Sequence, residues 1–221
     1  MTRPDLGHVD TWIFDLDNTL YPHECEFMAL IDARMTEFVS EKTGLPPEEA
    51  RALQRGMLHE HGTTLAGLTA AYGIDPHEFL DVVHDVSHDR LTPDPELRAA
   101  IARLPGRRLV FTNGSARHAE RVLQSLNLGD LMEDVFHLEA ADLVPKPQQA
   151  TYDMLVRRHG VTPRRSAFFE DSERNLAPAA AMGMITVLVG PKAESSEALF
   201  VHHRAPSLRQ FLSRLIMEAA A

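Results

Sequence analysis

Two aspartates one residue apart are the groups in this chain best suited to chemistry. Asp15 and Asp17 follow Thr11-Trp12-Ile13-Phe14, a β-branched and aromatic run that predicts a buried strand, and precede the turn-forming pair Asn18-Thr19. They are therefore expected at the carboxyl end of a strand, where open α/β sheets bind ligands. Two carboxylates there attract a hard cation such as Mg2+, which would let one of them attack a phosphorus centre. Taken alone, the pair could equally be a polar turn after a core strand.

Three further polar clusters each follow a predicted strand or a stiff loop. In Thr112-Asn113-Gly114, a hydroxyl, an amide and a glycine let backbone N–H groups approach an anion. Lys146 lies between two prolines, which fix φ on both sides and hold it on a stiff loop. Glu170-Asp171 ends another apolar run. A nucleophile, a hydroxyl, a fixed cation and a second acidic pair suit phosphoryl transfer, which relies on positioning and charge neutralisation.

In order and spacing, these clusters resemble the four motifs of the haloacid dehalogenase-like (HAD) hydrolase superfamily. The matching segments are Asp15-Leu16-Asp17-Asn18-Thr19-Leu20, Thr112-Asn113-Gly114, Lys146-Pro147 and Glu170-Asp171. The resemblance therefore covers nearly the whole chain.

The longer segments 15–21 and 169–176 further resemble the pyrimidine 5'-nucleotidase subgroup of that superfamily. Members of the subgroup more often have two aspartates where this chain has Glu170-Asp171, although glutamate-aspartate pairs occur in sister families. The substitution leaves metal binding in place but loosens the substrate assignment.

The resemblance implies a role for each of three catalytic residues. Asp15 would be the nucleophile that forms an aspartyl-phosphate. Asp17 would donate a proton to the leaving alkoxide and then take one from the attacking water, which requires a pKa nearer neutrality than that of a free aspartate. Lys146 would neutralise the nucleophile and the charge that develops on the phosphoryl group.

The resemblance also implies a metal site and a phosphate site. Mg2+ would be held by the side chain of Asp15, the backbone carbonyl of Asp17 and the side chain of Asp171, with Glu170 acting through a coordinated water. Phosphoryl oxygens would be bound by the second motif, namely Thr112, Asn113 and Gly114. Asn175, in the first turn of the next helix, is expected to orient the acids.

These roles imply a Mg2+-dependent phosphatase of small phosphomonoesters, with pyrimidine 5'-nucleotides as the first expectation. Another small metabolite, such as a sugar phosphate or phosphoglycolate, is the alternative substrate, and a phosphomutase is the alternative enzyme. Haloacid dehalogenases share the fold and the first aspartate but lack an acid two residues later, so Asp17 argues against them. The retained Asp15 and Lys146 argue against a binding module without catalysis.

Composition sets limits on compartment and partners. The net charge of −10 with no basic cluster argues against a nucleic-acid polymer as partner. The single cysteine, Cys25, excludes an intrachain disulfide and fits a reducing cytosol. No apolar stretch approaches the ~20 residues that span a bilayer, and residues 1–9 lack a signal-peptide core. A cytoplasmic protein acting on a small phosphorylated metabolite, either a monomer or a homodimer, is expected.

Helix and strand patterns alternate after residue 95, which predicts an α/β fold built on a doubly wound parallel sheet, with a Rossmann-like core. Residues 22–91 read as entirely helical, and an insert of this kind after the first strand resembles the cap of HAD proteins of the C1-cap type. The resemblance implies a helical cap at 22–91 and a core domain of residues 1–21 and 92–221. The predicted elements after the insert are helices at 96–104, 116–126, 148–159 and 175–182, and strands at 108–112, 135–138, 166–169 and 185–189. A frayed helix tail is expected at 217–221.

The remaining aromatic and histidine signals are weak. Tyr21 is expected to pack as an aromatic at the hinge of the cap, with His23 and Glu24 near the entrance of the site. His59-Glu60-His61 cannot converge on one metal, because residues two apart on a helix face different sides, and a solvated face is expected instead.

Overall fold

Strand β1 (Thr11–Phe14) lies in the middle of a parallel sheet in the computed structural model, which describes residues 5–219. All four of its side chains are buried, because both faces of a parallel sheet are covered by other elements. Within the described residues the sheet has six strands, whose order is β3-β2-β1-β4-β5-β6. The others are β2 (Arg107–Phe111), β3 (Asp134–Phe136), β4 (Ser166–Glu170), β5 (Ile185–Val189) and β6 (His203–Ala205).

The direction of winding reverses at β1, which pairs with β2 on one side and with β4 on the other. Phe14 is in register with Val110 and with Phe169, so the carboxyl ends of these three strands lie side by side. Such a reversal opens a crevice at the carboxyl edge of an α/β sheet, where ligands bind. The predicted fold class, a doubly wound parallel α/β sheet with a helical insert, is confirmed.

The helical insert follows β1 and is a compact unit of its own, from Glu26 to Arg90. Phe38 and Phe79 meet edge to face in its core, with ring centroids 5.3 Å apart. Three of the four α-helices described in this segment begin with a proline in the first turn or with a threonine N-cap. These helices are α1 (Phe27–Thr43), α2 (Pro47–His61), α3 (Thr64–Tyr72) and α4 (Pro76–Val83).

The unit that contains the sheet runs through Cys25 and resumes at Leu91, whereas the sequence pattern assigns residues 22–91 to the insert, so the bounds differ by four residues and by one. The first boundary differs because His23–Cys25 forms a 3-10 turn, in which Cys25 N donates to Pro22 O (3.2 Å). The α-helices of this unit are α5 (Pro95–Ala102), α6 (Ala116–Ser125), α7 (Gln149–His159), α8 (Glu173–Ala181) and α9 (Leu208–Ala219).

The last strand, β6, has no counterpart in the predicted elements, and of the last helix, α9, only the tail was predicted. β6 is three residues long with an arginine at its centre, so it carries no alternating or apolar pattern. The predicted frayed tail at 217–221 lies partly outside the described residues, and α9 continues to Ala219. No helix among residues 5–219 is long and apolar enough to cross a membrane.

Candidate active site

Asp15 is held at the point where β1 and β4 end. Its backbone N–H donates to Phe169 O at 2.8 Å, which extends the sheet pairing by one residue beyond β1. Its side chain is buried, and Oδ2 accepts a hydrogen bond from Thr19 Oγ1 at 3.2 Å. The carboxylate is therefore fixed at the carboxyl edge of the sheet, where the sequence pattern placed it.

Lys146 reaches Asp15 from the loop before α7. Its Nζ donates to Asp15 Oδ1 at 2.6 Å, to Glu170 Oε2 at 2.7 Å and to Phe111 O at 2.8 Å. These bonds account for all three ammonium protons, and the side chain is 1% exposed. Burial alone would lower the pKa of Lys146, but the charges of Asp15 and Glu170 outweigh that effect and raise it. The lysine is therefore a permanent cation beside the nucleophile candidate.

A cluster of three carboxylates surrounds this ammonium group. One oxygen from each of Asp15, Glu170 and Asp171 lies within 4.8 Å of the other two. Burial is the largest cause that raises the pKa of Asp15 to about 7, that of Glu170 to about 7 and that of Asp171 to about 6. Repulsion adds to burial, from Glu170 on Asp15 and from Asp15 on Asp171.

This donor set fits a hard divalent cation. Three carboxylates face one ammonium group, so the cluster carries more negative than positive charge, and Mg2+ prefers carboxylate oxygens. Glu170 is already held by Lys146 through Oε2 and by Ser172 N–H, at 3.0 Å, through Oε1. Asp171 is partly exposed. It accepts a hydrogen bond from Asn18, which offsets part of the rise in its pKa that burial causes.

Asp17 has a different environment from Asp15. Its Oδ1 accepts a hydrogen bond from Tyr21 OH at 2.7 Å, and His118 Nε2 lies 2.8 Å from the same oxygen. Burial first, and then the charge of Asp17, raises the pKa of Tyr21, so its hydroxyl keeps its proton. The carboxylate of Asp17 is not part of the acidic cluster in the described chain. The expected metal contact of Asp17 is through its backbone carbonyl and stays a prediction.

The sequence pattern missed His118 and understated Tyr21. His118 is a single histidine in the first turn of α6, and nothing in its neighbourhood distinguishes it from a core or surface histidine. Tyr21 does pack in the core, at 3% exposed, but its hydroxyl also binds Asp17. The one sequence signal for this contact was the position of Tyr21, a hydrogen-bond donor, four residues after Asp17 in the same loop.

The loop after β2 brings the second motif next to these groups. Thr112 Oγ1 accepts a hydrogen bond from Gly114 N–H at 2.9 Å. The side chain of Asn113 binds the backbone of Lys146 twice, through Lys146 N to Oδ1 (2.8 Å) and Nδ2 to Lys146 O (3.1 Å). A Cβ on Gly114 would lie 2.7 Å from the His118 ring, so a larger residue would displace it.

The site thus joins residues from four loops. The structure brings Asp15, Lys146, Glu170 and Asp171 into direct contact or near contact, with Asp17 beside Gly114. The buried Oδ1 of Asn175 has no hydrogen-bond partner among the described residues, its carbonyl accepts from Tyr152 OH at 2.6 Å, and its expected role in orienting the acids stays a prediction. In the helical unit, His59-Glu60-His61 is exposed, which confirms the predicted solvated face.

Comparison with known proteins identifies the family. The family model described as haloacid dehalogenase-like hydrolase matches residues 9–183, which include all four motifs and most of the chain. The chain belongs to this hydrolase family. Its acidic cluster, lysine and second-motif loop are therefore the active-site candidates of a HAD hydrolase.

Curated relatives and solved structures are both similar to this HAD hydrolase. Phosphate metabolism protein 8 of Saccharomyces cerevisiae is 26% identical over an alignment of 189 residues, and the match covers 78% of this chain. The match spans 59% of the length of the yeast protein.

The solved structures share the fold at low identity. A HAD phosphatase from Thermococcus onnurineus has a TM-score of 0.63 at 18% identity, covering 94% of this chain and 98% of that one. The magnesium-bound putative HAD-hydrolase YfnB from Bacillus subtilis has a TM-score of 0.61 at 14% identity, with the same coverage. L-2-haloacid dehalogenase from Xanthobacter autotrophicus, with chloropropionic acid covalently bound, has a TM-score of 0.58 at 17% identity, covering 95% and 98%.

Proposed function

We propose that this HAD hydrolase is a Mg2+-dependent phosphomonoester hydrolase that works through an aspartyl-phosphate. The observation that carries the proposal is the different setting of two aspartates two residues apart. Asp15 is buried against a lysine and two further acids, whereas Asp17 is held by a tyrosine and a histidine. Two acids in such different environments suit one nucleophile and one proton donor.

In the first half-reaction the carboxylate of Asp15 attacks phosphorus. The bond from phosphorus to the leaving oxygen breaks, and that oxygen takes the proton of Asp17, which yields an alcohol and an aspartyl-phosphate. Lys146 stays within hydrogen-bond reach of Asp15 and offsets negative charge near the reacting carboxylate. Thr112, Asn113 and Gly114 are proposed to bind the phosphoryl oxygens.

In the second half-reaction a water attacks phosphorus and gives its proton to Asp17. The bond between phosphorus and Asp15 breaks, which releases inorganic phosphate and restores both carboxyl groups. Asp15, Asp171 and the backbone carbonyl of Asp17 would hold Mg2+, with Glu170 through water, and the bound cation would neutralise phosphoryl charge. The match of the donor set to that cation supports this assignment.

Dehalogenation is the competing chemistry, since dehalogenases are among the structures with this fold. A halide leaves as a stable anion and needs no proton donor, and attack on carbon needs no cation to mask a phosphate. A held Asp17 and an acidic cluster that suits Mg2+ would have no use in that reaction. A phosphomutase uses the same acid and the same metal, and differs in passing the phosphoryl group back to the bound intermediate.

Pyrimidine 5'-nucleotides are the proposed substrates. Support comes from segments 15–21 and 169–176, which resemble the pyrimidine 5'-nucleotidase subgroup, and from a yeast relative whose name refers to phosphate metabolism. A sugar phosphate or phosphoglycolate is the alternative substrate. The net charge of −10 favours a small phosphorylated metabolite over a nucleic-acid polymer, and we place the enzyme in the cytoplasm as a monomer or homodimer.

Phosphate release from a panel of metabolites tests the proposal. The panel contains UMP, CMP, dUMP, AMP, phosphoglycolate and several sugar phosphates, each with Mg2+ and with chelator. Release concentrated on UMP, CMP and dUMP and abolished by chelator is the expected result. Strong turnover of phosphoglycolate or a sugar phosphate instead would keep the chemistry and reject the nucleotidase assignment. Folded protein that releases phosphate from none of these compounds would favour a phosphomutase or a binding module without catalysis.

A further inference from the structure

Two buried side chains hold Asp17, and the proposed mechanism gives neither of them a role. Tyr21 OH donates to Asp17 Oδ1 at 2.7 Å, and His118 Nε2 lies 2.8 Å from the same oxygen. Tyr21 is 3% exposed and His118 is 1% exposed. We propose that Tyr21 and His118 are positioning residues that orient Asp17 for proton transfer to the leaving group. This inference rests on the proposed phosphohydrolase function.

The two donors come from separate elements of the sheet-containing unit. Tyr21 follows Asp17 by four residues in the loop after β1, while His118 is 101 residues away in the first turn of α6. The start of α6 is itself fixed, because Ser115 Oγ accepts a hydrogen bond from His118 N–H at 3.2 Å. Rotation of the Asp17 carboxylate would break at least one of the two contacts, so together they restrict it to one orientation.

That orientation directs the other carboxylate oxygen toward the proposed phosphate loop. A Cβ on Gly114 would lie 3.7 Å from Asp17 Oδ2 and 2.7 Å from Cδ2 of His118. Oδ1 is the oxygen that both Tyr21 and His118 contact, and Oδ2 is the carboxylate oxygen nearer to Gly114, in the loop proposed to bind the phosphoryl group. We expect Oδ2 to carry the proton that passes to the leaving oxygen as the bond from phosphorus to that oxygen breaks.

A series of phosphate esters separates positioning from general structural support. The leaving group of p-nitrophenyl phosphate is p-nitrophenolate, a stable anion that needs no proton. The leaving group of n-propyl phosphate is an alkoxide that must be protonated, and that of phenyl phosphate has an intermediate basicity. The constant kcat/KM reports the steps through loss of this leaving group. Tyr21→Phe and His118→Leu should lower kcat/KM about 10- to 100-fold for n-propyl phosphate, but less than about threefold for p-nitrophenyl phosphate.

Three control variants test whether Tyr21 and His118 affect activity through their contacts with Asp17. His118→Gln places an amide donor near the position of Nε2 and should recover part of the loss. Tyr152→Phe removes another buried tyrosine hydroxyl, which donates to Asn175 O at 2.6 Å, and should affect all three esters alike. In an Asp17→Asn background, Tyr21→Phe should add no further dependence on the leaving group, because the acid that donates the proton is already lost.

The outcomes distinguish this inference from the function on which it rests. Wild-type protein that hydrolyses neither the three esters nor any compound of the metabolite panel would overturn the proposed function, and the inference with it. An active wild type whose folded Tyr21→Phe, His118→Leu and His118→Gln variants lose activity equally on all three esters would overturn the inference alone. A leaving-group dependence that Tyr21→Phe adds in the Asp17→Asn background, beyond that of Asp17→Asn alone, would also overturn it.

Discussion

Lys146 Nζ lies 2.6 Å from Asp15 Oδ1 although 131 residues separate them, and the same ammonium group lies 2.7 Å from Glu170 Oε2. The rings of Phe111 and Phe168 pack beside it, with centroids 5.0 and 5.4 Å from Nζ. Water has little access to this group, so its charge is balanced by the two carboxylates and not by solvent. The ion pair between Lys146 and Asp15 therefore contributes both to the stability of the site and to its charge balance.

Removal of the lysine charge should destabilise the protein strongly. Lys146→Met leaves two buried carboxylates without their cation, and we expect a loss of about 3–5 kcal/mol in the free energy of unfolding. Urea denaturation in the presence of a chelator measures this loss, at a pH above the pKa of about 7 of Asp15 and Glu170.

The helical unit provides a matched control for that variant. Lys42 Nζ also lies 2.6 Å from a carboxylate, that of Glu78, but the lysine side chain is 34% exposed. Lys42→Met should therefore cost only about 0–1 kcal/mol. Equal losses in the two variants would contradict the view that burial makes the Lys146 pairs strong.

The contacts of this pair show how far a sequence predicts such a site. Asp15, Lys146 and Glu170 each follow a buried strand or lie between prolines, and local patterns of that kind mark positions on the edge of a sheet. The same reasoning predicts the parallel sheet, because the strands β1, β2, β4 and β5 are short apolar runs between helical patterns. Local sequence patterns were therefore sufficient to predict those site residues that lie at the end of a predicted strand or on a loop stiffened by proline.

Long-range contacts made by residues without a local signal were not predictable. His118 reaches Asp17 from a helix 101 residues later, and the Asn113 side chain turns to the backbone of Lys146. β6 was missed because its three residues pair with β5 only through the tertiary fold, with Arg204 opposite Leu188. Such contacts depend on which loops the sheet brings together, and the types of the residues alone do not reveal that.

Loss of the Asp15 carboxylate should abolish turnover and leave the fold intact. Asp15→Asn keeps the size of the side chain but removes the nucleophile, so phosphate release should fall to the background of the assay. The amide also relieves repulsion in a crowded acidic cluster, so the melting temperature should not fall severely. Near-wild-type activity in this variant would disprove the aspartyl-phosphate mechanism.

Asn113 should matter through its two bonds to the backbone of Lys146. Asn113→Ala removes both, and we expect a loss of about 1–3 kcal/mol in stability and about 10- to 100-fold in kcat/KM, since the lysine loop loses its anchor. Asn113→Asp keeps the acceptor for Lys146 N–H and should be intermediate. Gln149→Ala, which removes an exposed amide bonded to Asp153, should change stability by less than about 0.5 kcal/mol.

Mg2+ affinity should depend on Asp171 and not on its acidic neighbour Glu173. Asp171 belongs to the three-carboxylate cluster, whereas Glu173 is exposed in the first turn of α8. Asp171→Asn should weaken Mg2+ binding by about 10- to 100-fold or more, and Glu173→Gln should leave it unchanged within about twofold. Isothermal titration with MgCl2 on chelator-treated protein measures both, and equal affinities would exclude Asp171 as a ligand.

Without metal, the acidic cluster should make the protein less stable as pH rises from the ordinary carboxyl value of about 4 to about 7. Over that range the folded state binds more protons than the unfolded state, because the pKa of Asp15, Glu170 and Asp171 is raised in the fold. Stability is then greatest when the cluster is protonated and is lost as its protons leave. Mg2+ replaces those protons, so the stabilisation by Mg2+ should grow over the same range.

Melting temperatures with Mg2+ and with chelator, measured across this pH range, test the expectation. Titratable groups outside the cluster do not contribute to the difference between the melting temperatures with Mg2+ and with chelator. Asp10, Asp130 and Glu133 have a lowered pKa and act below the ordinary carboxyl value, while the lowered pKa of His159 and His202 affects both curves alike. Asp171→Asn should flatten the difference. A stabilisation by Mg2+ that stays constant or shrinks as pH rises would mean that the cation does not compete with these protons.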